Sequence, residues 1–348
     1  MKKLPLNKDV ETKKVLKKSI SANRALSLLN GVANIIPNQY VLINSLLLKE
    51  AKSSSEIENI VTTNDELYKA EIELEVSRDT KEVQRYKEAL LKGYELLQKD
   101  KLLLIKHLVE VQSIIVDNNA GIRKQTGTQL KNSKGEIVYT PPQSYDEIMD
   151  LLNNLEQYIN DDSLEDFDYL VKMAIIHFQF EAIHPFYDGN GRTGRILNVL
   201  YLVYKDLLNL PILYISEYII QNKDKYYELL AKLHRDESWE EYILFMLEAV
   251  EETSIRTIRT IEDIKALMDK QAEIIQEKLP KIYSKELVEL LFRNPYTKIE
   301  FLEKHLGVTR QTASKYLKQL SLIGLLKEQK IGKAKYYINK DFVEVLSK

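Results

Sequence analysis

The stretch His184-Pro185-Phe186-Tyr187-Asp188-Gly189-Asn190-Gly191-Arg192-Thr193-Gly194-Arg195 decides how the rest of this 348-residue chain is read. Gly189, Asn190 and Gly191 can take the positive φ values that turn successive backbone N–H groups toward one anion. The run from Arg192 to Tyr201 is apolar at helical spacing. Those N–H groups therefore fall at a helix N-terminus, where the macrodipole also favours negative charge. Arg192 and Arg195 lie three apart, on one face of the first turn, and can take two phosphate groups through planar forks. Asp188 is placed to hold a divalent cation between phosphate oxygens. His184 is the one group in the stretch that can take a proton near pH 7. A lone Gly-Asn-Gly is usually a turn, and two arginines are usually a solvated face. Base, acid, anion nest and paired arginines within twelve residues point instead to a phosphate site. Their order differs from the P-loop, which needs Gly-Lys-Ser/Thr after its glycines, and from the dinucleotide fingerprint.

Around this stretch the composition is that of a mainly α protein: 11 glycines, 8 prolines, and Leu, Ile, Lys and Glu in excess. The length allows two or three domains with real cores. No cysteine is present, which excludes a disulfide framework and a thiolate metal site and fits a reducing compartment. No apolar run approaches the ~18–20 residues of a membrane span, so a cytoplasmic protein without a membrane partner is expected. The net charge of −2 hides an asymmetry: from Ser284 onward thirteen Lys and Arg face seven Asp and Glu, a local charge of +6 that leaves −8 on the rest.

The twelve residues resemble the signature of the Fic family, His-Pro-Phe-x-Asp/Glu-Gly-Asn-Gly-Arg-x-x-Arg, at all nine of its fixed positions. The resemblance implies a Fic-type helical bundle and a protein adenylyltransferase, which moves AMP from Mg-ATP to a Ser, Thr or Tyr hydroxyl of a protein target or of itself. It implies His184 as the base, Asp188 as the Mg2+ ligand, Gly189 to Gly191 as the phosphate nest, and Asn190, Arg192 and Arg195 on the phosphates. ATP is then substrate. In the family the region after the motif lies against the nucleoside, which makes Tyr227 and Leu230 candidates for packing on adenine.

Upstream, a helix is expected over Val10 to Leu29, with Val15, Leu16, Ile20, Ala22, Leu26 and Leu29 at amphipathic spacing and Asn30-Gly31 as its stop. A second runs from about Gln39 toward Ala51. In Ser53-Ser54-Ser55-Glu56-Ile57-Glu58-Asn59 composition alone gives a capping box at a helix start. Ser54, Glu58 and Asn59 also resemble the inhibitory motif Ser/Thr-x-x-x-Glu-Gly/Asn of Fic proteins. That resemblance implies that Glu58 reaches Arg195 and takes the place of the γ-phosphate.

Two β-prone runs, Ile122–Leu130 and Glu136–Thr140, flank a turn at Asn132-Ser133-Lys134-Gly135 and read as a hairpin. The family's flap is such a hairpin, and an edge strand can hold an extended target segment; Ile137, Val138 and Tyr139 are its docking candidates. A charged helix from Val250 to about Leu279 reads as a linker. Beyond it, three helices, with Thr309 capping the third, and a hairpin turning at Gly332-Lys333 look like a small winged helix-turn-helix. Arg310, Gln311, Lys315 and Lys318 would contact DNA. The expected division is 1–95 for the N-terminal helical region carrying the inhibitory helix, 96–250 for the Fic core, 251–282 for the linker helix and 283–348 for the winged helix. Two other classes of function compete. One is a Fic enzyme that transfers another moiety or removes AMP; the other is a DNA-binding regulator. DNA and a second copy of the chain stand as further candidate partners.

Overall fold

The structure, a computed structural model, describes every residue except Met1, Pro37, Glu73, Leu74, Asn132, Ser133, Gly332, Lys333 and Lys348. The expected turns at Asn132-Ser133 and Gly332-Lys333 lie outside the described residues. The chain opens with α1 (Lys13–Val32), α2 (Gln39–Ile57), α3 (Asn64–Glu71), α4 (Arg78–Asp100) and α5 (Ile105–Val116). A short antiparallel hairpin follows, β1 (Leu130–Lys131) and β2 (Ile137–Tyr139). Next come α6 (Tyr145–Asn160), α7 (Tyr169–Ile183), α8 (Asn190–Tyr204), α9 (Ser216–Gln221), α10 (Lys223–Asp236) and α11 (Trp239–Lys278). The C-terminal unit contains α12 (Lys285–Arg293), β3 (Tyr296–Thr297), α13 (Ile299–Leu306), α14 (Arg310–Leu322), β4 (Lys327–Ile331), β5 (Ala334–Ile338) and α15 (Lys340–Ser347). Its sheet runs in the order β3-β5-β4, the expected wing joined by a third strand that two residues of sequence did not announce.

α7 and α8 are the centre of the molecule. Every residue from Leu170 to Phe180 and from Arg192 to Val203 is buried, and a helix apolar on all sides has to be covered on all sides. The twelve-residue motif is the connection between these two helices. Its position is therefore fixed by the best-packed part of the core.

Three expectations change. α1 passes through Asn30 and Gly31 without stopping. A glycine inside a helix costs only about 1 kcal/mol, and α1 gains more by burying Val15, Ala22, Ala25, Leu26 and Leu29 along α11. Leu16 and Ile20 stay exposed, because the buried stripe is set by Ser19 and two alanines, small enough for close approach. Second, the segment from Ser53 is no helix start: α2 runs on to Ile57. Third, residues 250–279 do not lead away from the core. They are the second part of α11, a 40-residue helix that buries Ile258, Ile261, Ile264, Met268 and Ile275, so the expected boundary at 250/251 falls inside one continuous helix.

Candidate active site

α7 stops because His184 takes a left-handed conformation, φ 48 and ψ 59, while its N–H still bonds the Phe180 carbonyl at 3.1 Å. Pro185 cannot continue a helix. The loop beyond is held from outside by the chain before the hairpin: Ile122 forms a β-bridge to Phe186, and the Arg123 N–H bonds the Pro185 carbonyl at 2.9 Å. The Arg123 guanidinium, 1% exposed, donates to the His184 carbonyl at 2.7 Å and to the carbonyls of Pro142 and Ile183. Inside the loop the Asn190 amide exchanges two hydrogen bonds with the Phe186 backbone, both 2.9 Å. That side chain is a brace, and what Asn190 can offer a phosphate is its backbone N–H.

Of the three nest residues, Gly189 alone has a positive φ, 76. It is the N-cap of α8, and no side chain caps that end. Gly191 is needed for a different reason: a Cβ there would lie 2.7 Å from Glu58 Oε1 and 2.8 Å from Arg195 Nη1. An acid from α2 thus stands directly against the positive end of α8.

The end of α2 explains how it gets there. Glu58 is the C-cap and Asn59 follows at φ 65. The Ile60 N–H bonds the Ser55 carbonyl at 3.1 Å and the Asn59 N–H bonds Glu56 at 3.0 Å. This is a Schellman ending, which favours glycine or asparagine at the left-handed position. Ser54, one turn earlier, accepts from Arg195 Nε at 2.7 Å through its hydroxyl and from Nη2 at 2.9 Å through its carbonyl. Glu58 Oε1 takes the same Nη2 at 2.9 Å, and its Oε2 lies 2.7 Å from Arg192 Nε. One carboxylate therefore spans both motif arginines. The family resemblance implied the contact to Arg195; the contact to Arg192 is additional.

Four groups escaped the sequence reading. Glu82 of α4 accepts from Arg192 Nη1 at 2.6 Å; nothing local in sequence links residues 110 positions apart. Arg123 was read only as part of a strand. Glu181, in the apolar run before the motif, has a buried Oε1 with no partner, and burial raises its pKa to about 7. Glu50, fully buried, accepts from Tyr86 Oη at 3.0 Å, from Ser216 N at 3.3 Å and from Ser216 Oγ. Its spacing, four residues before Ser54 and eight before Glu58, puts all three on one stripe of α2, a signal the sequence did carry.

Burial raises the Glu50 pKa to about 7, against the hydrogen bonds from Ser216 and Tyr86 and the Arg195 charge, which lower it. A raised carboxyl pKa means that the folded state holds a proton the unfolded chain releases near pH 4.5. The stability from that proton is complete below about pH 4.5 and is lost as pH rises through about 7. Glu50→Gln, which mimics the protonated acid, should therefore gain stability relative to wild type steadily between those pH values. Denaturant melts at pH 5 and pH 8 check this, and equal differences at both would contradict it.

His184 is held low, at about 4, by burial first and by the Arg123 charge second. The Glu181 backbone and the Glu58 and Asp188 charges oppose that shift without cancelling it, so at neutral pH the imidazole is uncharged and able to take a proton. His177, by contrast, is a core residue: it is fully buried and its Nε2 lies 2.7 Å from Tyr226 Oη. Tyr227 is 46% exposed beside Tyr226 and close enough to feel Arg195, Glu181 and Glu58. Leu230 is half-buried. Asp188 is exposed, 3.5 Å from Arg192 Nη2. Among the described residues no three His, Asp or Glu gather as a metal cage.

The hairpin residues divide. Ile137 and Val138 are exposed, whereas Tyr139 turns inward and stacks on His234 of α10, centroids 3.6 Å apart. In the C-terminal unit Arg310 is engaged by Glu300 at 3.0 Å and by Glu303 at 3.7 Å. Gln311, Lys315 and Lys318 remain exposed along one side of α14.

A model of the Fic/DOC family N-terminal region matches residues 16–95, and a model of the Fic/DOC family matches 102–202, the site included. Together they cover more than half of the chain. The chain belongs to the Fic/DOC family. A further model, the C-terminal domain of protein adenylyltransferase SoFic-like, matches residues 267–342. A probable protein adenylyltransferase of Aquifex aeolicus is 28% identical over 208 residues, 58% of this chain and 59% of that protein. Protein adenylyltransferase fic-1 of Caenorhabditis elegans is 39% identical over 56 residues, 16% of this chain and 11% of that protein. The chain thus spans well under two thirds of either relative. Among solved structures, a Fic family protein from Desulfovibrio desulfuricans has a TM-score of 0.61 at 17% identity, covering 94% of this chain and 96% of that one. Residues 134–508 of C. elegans Fic-1 give 0.55 at 20%, covering 71% and 73%. These likenesses establish the Fic fold. Among the described residues no helix is long and apolar enough to cross a membrane.

Proposed function

We propose that this protein is a protein adenylyltransferase held off by its own Glu58. The observation that carries this reading is the Glu58 carboxylate, seated at the N-terminus of α8 between Arg192 and Arg195. A carboxylate edge matches a phosphate edge in charge and in the geometry it offers a guanidinium fork. The names of the Aquifex and nematode relatives, a probable protein adenylyltransferase and a protein adenylyltransferase, agree with it.

In this reading Mg-ATP enters with its phosphates against the free N–H groups of α8. Arg192 takes an inner phosphate and Arg195 the γ-phosphate once Glu58 has withdrawn. Asp188 is exposed and free of any cage, which suits Mg2+, an ion that takes one or two carboxylates together with substrate phosphates. Tyr227 and Leu230 border the nucleoside. Neutral His184 removes the proton from a Ser, Thr or Tyr hydroxyl of the target, that oxygen bonds the α-phosphorus, and pyrophosphate leaves with its electron pair. The chain supplies positioning and fixed charge, with no covalent enzyme intermediate. A chain without cysteine that uses ATP fits the cytoplasm.

ATP labelled in turn at the α- and the γ-phosphate tests the reaction type by intact-mass analysis and autoradiography. Label on protein from the α position only supports adenylyl transfer; label from γ would mean phosphoryl transfer and would overturn the proposal.

The exposed Ile137 and Val138 edge supports target docking by strand addition. Val138→Asp should lower transfer to a protein target about tenfold or more, the scale of one lost hydrophobic anchor, with ATP affinity unchanged by calorimetry. Equal losses in both would remove the flap from docking. A second reading, DNA binding through α14, is favoured by the open row Gln311, Lys315 and Lys318, while Arg310 is occupied by acids. Lys315→Ala and Lys318→Ala should each weaken duplex binding and reduce its salt slope by about 1; an unchanged slope would leave α14 without a phosphate contact.

A further inference from the structure

We infer that the cleft between the C-terminal unit and the N-terminal bundle is a binding site for a small anion presenting phosphate or carboxylate oxygens. Its volume is about 360 Å³, at the low end of the roughly 300–1,000 Å³ of small-molecule sites. One wall is formed by α12, β3 and α13, the other by Asn44 of α2, Glu71 of α3 and Lys87 of α4.

The cleft lies along a seam with several polar contacts. Tyr296 donates its hydroxyl to Asp65 and its ring lies on Tyr68 at 5.8 Å. Asn38 Nδ2 donates to Glu289 at 2.9 Å and Lys298 Nζ to the Ile72 carbonyl at 3.2 Å. These contacts join the two walls.

Charge and unsatisfied polar groups give the ligand its class. Lys87 is neutralised by Glu71 at 2.6 Å. Arg293 and Lys304, which also line the cleft, have no acid partner among the described residues, so the cleft carries two uncompensated cations. Thr297 is 3% exposed, and its Oγ1 makes no hydrogen bond; the buried Oδ1 of Asn294 makes none either. Buried polar atoms without partners are rare and cost about 1–3 kcal/mol each. Thr297 and Asn294 line the cleft together with Arg293 and Lys304, and no protein group takes up their hydrogen-bonding capacity. The Thr297 hydroxyl can donate to an anionic oxygen, and the Asn294 amide, turned over, presents its NH2 to the same group. Arg293 and Lys304 supply the charge.

The test uses the full chain, with calorimetric titration and thermal unfolding in inorganic phosphate and, separately, citrate, at constant ionic strength. Saturable binding of one equivalent of either probe, with a raised Tm, is expected. Arg293→Ala and Lys304→Ala should each weaken it about tenfold or more, the scale of one charge-assisted hydrogen bond. Thr297→Val fills the same space without the unpaired hydroxyl. It should leave the ligand-free Tm equal or higher and still weaken binding. Absence of binding for both probes would overturn the inference. So would affinity that is unchanged in Arg293→Ala and Thr297→Val, or that is lost instead in Arg192→Ala, which would place the anion at α8.

Discussion

His184→Ala is expected to lower adenylyl transfer by about 10²–10⁴-fold or more, the range of general-base catalysis. ATP affinity should stay within a factor of a few, because no hydrogen bond of the anion nest involves the imidazole. Two features of the site sharpen the prediction. Burial and Arg123 hold the pKa at about 4, so the base is already neutral at physiological pH. Activity governed by His184 should be level from pH 7 down to about 5 and should fall as pH approaches about 4. His184 also sits at φ 48, where a residue with a Cβ is strained by roughly 1–2 kcal/mol. His184→Gly relieves that strain without restoring a base. If Gly and Ala variants lose activity equally, the loss is chemical; if Gly recovers activity, the residue serves the backbone and the assignment of a base fails.

Glu58→Gly is expected to raise transfer on the order of 10²-fold, since one charge-assisted hydrogen bond of about 1.5–3 kcal/mol to Arg195, together with the ion pair to Arg192, no longer opposes the nucleotide. The same change should destabilise the protein without ATP. Arg195 is 2% exposed and would keep only Ser54 among its hydrogen-bond acceptors, and removing one partner of a buried pair costs about 3–5 kcal/mol. The two effects have opposite signs in one measurement: a lower Tm alone, and a larger rise on adding Mg-ATP than wild type shows. A variant with wild-type Tm and unchanged ATP response would mean that Glu58 does not occupy the phosphate position. Glu82, still 2.6 Å from Arg192 Nη1, would retain part of the restraint. The Glu58→Gly Glu82→Gln pair should therefore bind ATP more tightly than Glu58→Gly alone.

What the sequence disclosed and what it hid follow physical lines. Residues 184–195 were legible because base, acid, nest and arginines are local, and a turn followed by a helix start leaves little choice of geometry. Thr309 made the third helix of the C-terminal unit legible for the same reason, because a cap is read from neighbouring residues. The bracing role of Asn190 was hidden because an amide suits either a phosphate or a neighbouring backbone, and only the packed loop shows its side chain on Phe186. Glu82 and Arg123 were invisible because their partners are far away in sequence. α1 overran Gly31 because burial along α11 outweighs a weak local preference. Ser54 to Asn59 shows both cases at once: local composition suggested a helix start, while the tertiary position makes it a helix end whose asparagine suits the left-handed backbone there.

α11 gives the molecule its mechanical character. Between Trp239 and Lys278 there is neither proline nor glycine, the residues that most sharply kink a helix, and 40 residues at 1.5 Å each make a rod of about 60 Å. One part of this rod is cemented to α7 and α10, the other to α12 and α15, and α1 lies along it as a splint. Force applied to the C-terminal unit would reach the catalytic half as a displacement of the whole rod rather than being absorbed by a tether. Cutting the chain at residue 250 would not detach a module. It would snap a beam and expose the apolar face that α1 is built to cover.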